Sequence, residues 1–272
     1  MRRLKRVVKS LVEWNLLVKL RSIWFRLRAP FYSGRNVLCP CCGRTFRKFL
    51  TAGVRRIRSN ARCPRCGSWE RQRMLWLFLK QRTNIFSNRA RILHVAPEHV
   101  LSKEFARMEH LDYVSADLCS PLASVQMDVT RVCFAESSFD LILCCHVMEH
   151  VLDDIGAMRE LCQALRPNGL AIFQIPIKRE HTFEDSSVVS EFDRERVFGQ
   201  RDHVRICGQD YMSRFEVAGF EVSVVNLARE LGNANAQKYG LWAEEQLIIC
   251  KRRVAQECVI PFPSNAHLAI AE

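Results

Sequence analysis

Glycine is scarce in this chain and unevenly spread: the 272 residues contain 11, and none lies between Gly67 and Gly156. Glycine is the usual residue where a backbone turns left-handed or closely approaches a ligand, so the middle of the chain must make such turns with other residues. No apolar run is long enough to cross a bilayer, and the leucine- and tryptophan-bearing N-terminal stretch is too charged to do so. No internal repeat is present, which argues against a solenoid. Acidic residues are nearly missing from the first third. Residues 1–91 hold 24 Lys/Arg against Glu13 and Glu70, a net of +22, whereas residues 92–272 hold 17 Lys/Arg against 27 Asp/Glu, a net of −10. The basic part is therefore a candidate for an anionic surface. The 13 cysteines are odd in number and form no disulfide framework. No cleavable secretory segment precedes them, so a reducing cytosol is the expected compartment.

Two cysteine pairs stand apart, Cys39-Pro-Cys-Cys42-Gly43 and Cys63-Pro-Arg-Cys66-Gly67. Read through Cys39, Cys42, Cys63 and Cys66 they are C-x2-C knuckles separated by 20 residues, each followed by a glycine that permits the tight turn. Four thiolates at this spacing predict a structural, tetrahedral Zn2+ with no position left for water or substrate. Cys41 is an alternative ligand, although the glycine after Cys42 favours the latter. Cys144 and Cys145, adjacent on a predicted strand, must point to opposite faces.

Ahead of the knuckles, Leu4, Val8 and Leu11, then Leu17, Leu20, Trp24 and Leu27 keep helical spacing, with Lys5, Arg6, Lys9, Lys19, Arg21, Arg26 and Arg28 interspersed. Two readings stand: a basic amphipathic helix lying on anionic lipid, or a helix packed on the rest of the protein with its basic face in water. A mitochondrial transit peptide is also compatible with the Arg-rich start, though serine is scarce. The chain divides into a basic helical arm (1–34), a zinc ribbon (35–67), a connecting helix opened by Ser68 (68–88), a core (89–253) and a loose tail containing Pro261 and Pro263 (254–272).

Within the core, Arg91 to Ala96, Leu111 to Leu118 and Ser138 to Cys145 read as strands, and Val125 to Thr130 carries a further acid, Asp128. Asp153 to Leu165 has helical spacing, Arg166-Pro-Asn-Gly169 breaks it, and Leu170 to Ile177 and Glu245 to Cys250 are further strands. Strands alternating with helices predict an α/β fold whose largely parallel sheet is covered on both faces. Such sheets bind ligands at the carboxyl ends of their strands. The polar stretch Lys178 to Asp202 interrupts this pattern and is expected to form a lid at that edge.

The segments Phe139-Asp-Leu-Ile142, His146-Val-Met-Glu-His-Val151 and Leu165-Arg-Pro-Asn-Gly169, followed by Asp202-His-Val-Arg205 and Tyr211 to Phe220, resemble the class I S-adenosylmethionine-dependent methyltransferases of the type 11-like branch. The likeness spans residues 89–253. It implies a Rossmann-like sheet, mostly parallel with the last strand antiparallel, and S-adenosylmethionine as methyl donor. By position it implies that Asp117 accepts from the ribose hydroxyls and that Asp128, with the backbone of Val129, meets the adenine. His94, Ala96 and Glu98 fall beside the methionine moiety. There the family has Gly-x-Gly, and this chain has His94-Val-Ala-Pro-Glu-His-Val100. Ala96 then replaces one glycine, and Glu98 accepts from the ammonium group. His146 lines the donor and is the leading general base, with His150 second and Glu149 orienting one of them.

Three function classes follow. The first is methyl transfer to an oxygen or nitrogen of a small-molecule, glycan or lipid-linked acceptor, in a cytoplasmic protein held peripherally at the inner face of a membrane through residues 1–34. The second is RNA methylation, because a zinc ribbon ahead of this core resembles one group of ribosomal-RNA guanine methyltransferases and a basic module holds phosphates. The core, however, lacks the Asn/Asp-Pro-Pro-Tyr/Phe amino-methylation motif. The third is a binding protein that keeps the fold without catalysis. Because ribbon and sheet read as separate units, loss of the metal is expected to spare the cofactor site more than loss of Asp117.

Overall fold

Residues 16–53, 57–120 and 123–253 are described by the computed structural model; the first half of the arm and the tail 254–272 lie outside the described residues. Residues 16–28 form helix α1, which ends in a 3-10 turn, Ala29–Tyr32, where Pro30 pre-sets the backbone. Two short antiparallel hairpins follow, β1 (Val37–Cys39) with β2 (Arg44–Phe46) and β3 (Leu50–Ala52) with β4 (Arg58–Arg62). Helix α2 (Glu70–Arg82) starts two residues later than expected. Ser68 does not open it: its hydroxyl lies 3.2 Å from the Cys39 sulfur and 3.3 Å from that of Cys66, and Gln72 Oε1 instead accepts from the Trp69 N–H at 3.0 Å.

The core continues with β5 (Ala90–Val95), α3 (His99–Phe105), β6 (Leu111–Asp117), β7 (Val125–Gln126), β8 (Phe139–Cys145), α4 (Asp154–Ala164) and β9 (Leu165–Gln174). After these come β10 (Phe183–Glu184), α5 (Glu191–Val197), β11 (Arg205–Ile206), α6 (Met212–Val217), β12 (Phe220–Val225), α7 (Leu227–Glu230), α8 (Gly232–Tyr239) and β13 (Leu247–Arg252). The central sheet has the order β12-β13-β9-β8-β5-β6-β7, with β13 antiparallel to both neighbours and the other pairings parallel. This is the expected Rossmann-like arrangement. Its order reverses between β5 and β8, which opens a crevice at their carboxyl ends.

The expected break after α4 is corrected. The Arg166-Pro-Asn-Gly169 segment does not separate helix from strand but lies inside β9 as a bulge. Leu165 pairs with Phe139 and Leu170 with Leu141, and the extra residues are absorbed at Asn168, whose φ is +64°. The Lys178 to Asp202 insertion holds β10, which pairs antiparallel with β11 beyond it, and α5.

Alternation along the strands divides the interior. Ile92, Leu141, Leu143 and Ile172 face one side, and Leu93, Ile142 and Phe173 the other, where Met158, Leu161 and Phe215 cover them. The first side is covered by α2 and by the ribbon: Cys39, Phe46 and Phe49 share one apolar cluster with Leu75, Leu79 and the sheet. Arg73, fully buried, locks this union. Its guanidinium donates to the carbonyls of Asn60, Ala61, Ser68, Tyr239 and Gly240, tying hairpin, helix and the end of α8 together. No helix among the described residues is long and apolar enough to cross a membrane.

Candidate active site and cysteine centre

Both strands flanking the crevice end in a left-handed residue. Ala96 follows β5 with φ +48° and its N–H donates to Ala116 O at 2.8 Å; His146 follows β8 with φ +56° and its N–H donates to Gln174 O at 2.8 Å. Ala96 therefore adopts, with a Cβ, the conformation that favours glycine. Such strain costs about 1 kcal/mol and concentrates at functional sites. Ala96→Gly is expected to raise stability by about 1 kcal/mol in urea denaturation, and a lower midpoint would contradict this account of the turn.

Unpartnered polar atoms gather at these strand ends. His94 Nε2, Glu98 Oε2, His146 Nε2, Glu149 Oε2 and Gln174 Oε1 are buried without a hydrogen-bond partner. Buried polar groups are almost always paired, so a cluster of orphans marks a place prepared for a ligand or ordered water. The opposite atoms of the same side chains are held. His94 Nδ1 lies 2.9 Å from the Tyr113 hydroxyl, Arg71 Nε donates to Glu98 Oε1 at 3.0 Å, and His146 Nδ1 lies 3.1 Å from Glu149 Oε1. Burial lowers His94 to about 4, so its imidazole is neutral. Burial alone would raise the Glu149 carboxyl, but the hydrogen bond and charge of His146 hold it below the usual range. An ionised Glu149 accepting from Nδ1–H leaves the Nε2 lone pair of His146 free to take a proton.

Asp117 ends β6, half-buried. Its Oδ1 accepts from the N–H groups of Cys119 at 2.8 Å and Ser120 at 2.6 Å, contacts that do not engage Oδ2. Asp128 lies beyond β7, exposed, with Oδ1 accepting from the N–H of Thr130 at 2.9 Å and its hydroxyl at 2.8 Å; these bonds lower its pKa. Val129 beside it is buried. His150 Nδ1 lies 3.2 Å from the Asp202 carbonyl and its ring stands edge-on to that of His203, with centroids 4.7 Å apart. The structure thus joins His94 with Glu98 through the end of β5 and His146 with Glu149 in one hydrogen bond, while His150 turns toward the 202–203 segment.

Several residues at this edge were assigned no role from the sequence, although Arg205 lies in the Asp202-His-Val-Arg205 segment of the family resemblance. Buried Arg205 donates to Met148 O at 2.7 Å, Leu152 O at 3.0 Å, and also to Val151 O and Glu184, clamping the His146–His150 loop to β10. A cavity of about 1230 Å³ opens beside His146, lined also by Arg71, Lys178, Trp242, Glu245 and residues of the insertion, including Glu191 and Arg194 of α5. Burial raises the Glu245 carboxyl, opposed by His146 and Arg71. The Cys144 and Cys145 thiols are buried and pushed up by that burial, which makes them poor nucleophiles.

In the ribbon, the sulfurs of Cys39, Cys42, Cys63 and Cys66 all lie within 4.8 Å of one another, with Cys39···Cys66 at 3.6 Å and Cys42···Cys63 at 3.8 Å. A tetrahedron with Zn–S bonds of about 2.3 Å has edges of about 3.8 Å, so the donor set fits a closed four-thiolate site. Cys41 points elsewhere, its sulfur 3.8 Å from Gln72 O. Acceptor oxygens at Asp117 and Glu98 and the orphan polar atoms lie at the carboxyl ends of the strands, a donor and acceptor set whose chemistry fits the hydroxyls and ammonium group of an S-adenosylmethionine-like ligand.

Residues 86–173 match the family described as methyltransferase domain. This stretch of the chain, from just ahead of β5 to the end of β9, is therefore similar to a methyltransferase domain and lies on the Rossmann-like sheet. No curated protein matches the chain. Among solved structures, it is similar to the 4+2 cyclase SpnF (16% identity, covering 69% of this chain and 84% of that one, TM-score 0.49). It is also similar to an S-adenosylmethionine-dependent methyltransferase from Mesorhizobium loti (16%, 66% and 98%, 0.45). A third is phosphoethanolamine N-methyltransferase 2 from Haemonchus contortus in complex with S-adenosyl-L-methionine (14%, 67% and 53%, 0.45).

Proposed function

We propose that the enzyme methylates an oxygen or nitrogen of a small-molecule, glycan or lipid-linked acceptor seated in the cavity beside His146. The observation that carries this reading is the set of orphan polar atoms at the reversal of strand order, where His146 is already oriented by Glu149. S-adenosylmethionine supplies the sulfonium methyl. Asp117 holds the ribose through the oxygen its turn leaves free, Glu98 takes the ammonium beside Arg71, and His94 and Ala96 line the methionine moiety. Asp128 and the Val129 backbone border the adenine. His146 Nε2 removes the acceptor's proton, and Glu149 stabilises the resulting imidazolium at Nδ1. His150 is the alternative base. Arg205 fixes the loop that carries all three, so the rate gain comes largely from alignment in a pocket the insertion covers.

The four ribbon cysteines hold a structural Zn2+ in this reading. Asp117→Ala tests the assigned site: it removes the ribose acceptor and should weaken binding of labelled S-adenosylmethionine about 10-fold or more in equilibrium dialysis, in line with about 1.5–3 kcal/mol for hydrogen bonds to a charged group. Unchanged affinity would reject the assignment.

A further inference from the structure

A second cavity, about 580 Å³, lies between α1, the ribbon and α3, and meets the first only at Arg71. Its walls are crowded with cations. Arg21, Arg26, Arg65 and Lys103 have no acidic partner among the described residues, while its two acids, Glu98 and Glu104, are occupied by Arg71 and Arg107. Arg62 also lines it, set against the rings of Phe25 at 4.7 Å and Trp69 at 5.0 Å. Burial, then the neighbouring Arg21 and Arg28, hold its guanidinium below the ordinary range. Unpaired cations at such density favour a multiply charged anion, and a cavity of this size suits a headgroup-sized ligand.

The helix that closes the cavity says where that anion comes from. Val18, Arg21, Ser22, Phe25 and Arg26 of α1 line it, all on one helical face. At about 100° per residue, Leu16, Leu20, Ile23 and Leu27, flanked by Leu17 and Trp24, lie on the opposite face. All six are exposed, Leu27 at 70%, and Phe31 just beyond is 77% exposed. The helix therefore differs from a packed one with its apolar face inward: Arg21 and Arg26, although exposed, line the cavity, and its leucines lie on the outward face. A contiguous exposed apolar stripe bordered by cations matches the interface of an anionic bilayer, where leucines enter the acyl boundary and cations meet phosphates.

We propose that α1 seats on an anionic membrane through its leucine stripe, and that the cavity behind it receives the phosphate-bearing headgroup of a lipid. As substrate class, this rests on the methyl-transfer reading above and makes the acceptor a phosphorylated lipid; as a binding site, it stands without that reading. Arg71 and Glu98, shared with the proposed donor site, link the headgroup to the reacting centre.

The test uses the full zinc-loaded chain in flotation with vesicles of phosphatidylcholine, with and without phosphatidylglycerol. Three proteins are compared: wild type, Arg62→Gln/Arg65→Gln and Leu20→Ser/Leu27→Ser, each checked for zinc content and S-adenosylhomocysteine affinity. Wild type should prefer the anionic vesicles. The arginine variant should lose that preference by about 10-fold or more, and the leucine variant should float with neither vesicle. Inorganic pyrophosphate should bind wild type in calorimetry and not the arginine variant. Absence of flotation, or flotation indifferent to Arg62 and Arg65, would overturn the proposal. So would pyrophosphate binding without vesicle binding, which makes the ligand a soluble phosphate, or capture of single-stranded RNA in place of vesicles through the same residues. If both vesicle arms succeed while S-adenosylhomocysteine does not bind, the lipid site stands and the methyl-transfer reading falls.

Discussion

Cys63→Ser is expected to unfold the ribbon and the sheet in one transition at a much lower temperature than wild type. Thiolate-bound structural zinc contributes about 10–16 kcal/mol to small domains that depend on it, comparable with the whole stability of a domain this size. From the sequence, the loss is expected to reach the basic half through the connecting helix and to spare the cofactor site more than loss of Asp117 does. The structure argues otherwise. Cys39, Phe46 and Phe49 share an apolar cluster with α2 and the sheet, and Arg73 binds carbonyls of β4, the ribbon end and α8. If the ribbon loosens, those five carbonyls and the Arg73 charge lose their pairing inside the protein, which is among the costlier single failures a fold can suffer. Calorimetric melting with zinc analysis checks this. A variant with wild-type melting, or with a separate early ribbon transition and an untouched main one, would show that metal and sheet are uncoupled.

His146→Gln is expected to lower the methyl-transfer rate by about 10²–10⁴, the usual contribution of a general base, while leaving affinity for S-adenosylhomocysteine within a few fold. Glutamine approximates the length of the ring and can still bond to Glu149, so the loop held by Arg205 should persist. Single-turnover transfer from labelled S-adenosylmethionine, with a cell-envelope extract as source of acceptor, gives the rate. A full rate in the variant would move the base to His150 or remove it from the mechanism.

The sheet was legible because its strands are short apolar runs closed by polar turns, and Phe139 to Cys145 or Leu111 to Asp117 cannot hide all their side chains in any other element. The acids and histidines singled out along the chain lie at or just beyond the carboxyl ends of β5, β6, β7 and β8. Boundaries failed where local chemistry serves tertiary needs. Ser68 looks like a helix cap but turns to the cysteine sulfurs, and the Arg166 to Gly169 break is absorbed as a bulge because β8 and β9 remain paired on both sides of it. The glycine-poor stretch behaves as its composition implies, since Ala96 makes the left-handed turn in place of a glycine. Arg73 was invisible, and Arg205 was seen only as a letter of the Asp202-His-Val-Arg205 segment, because a buried arginine and a solvated one read alike. The apolar stripe of α1 was visible as periodicity, yet only the packing shows which face is turned inward.

The central claim is that the crevice between β5 and β8 binds S-adenosylmethionine despite the absence of a Gly-x-Gly loop. Calorimetric titration of the zinc-loaded protein with S-adenosylhomocysteine tests it most directly. One site per chain, with an affinity on the order of micromolar or tighter and a favourable enthalpy from the hydrogen bonds at Asp117 and Glu98, is the expected result. Folded, zinc-loaded protein that gives no binding heat at any temperature would contradict it and leave a methyltransferase fold without its cofactor.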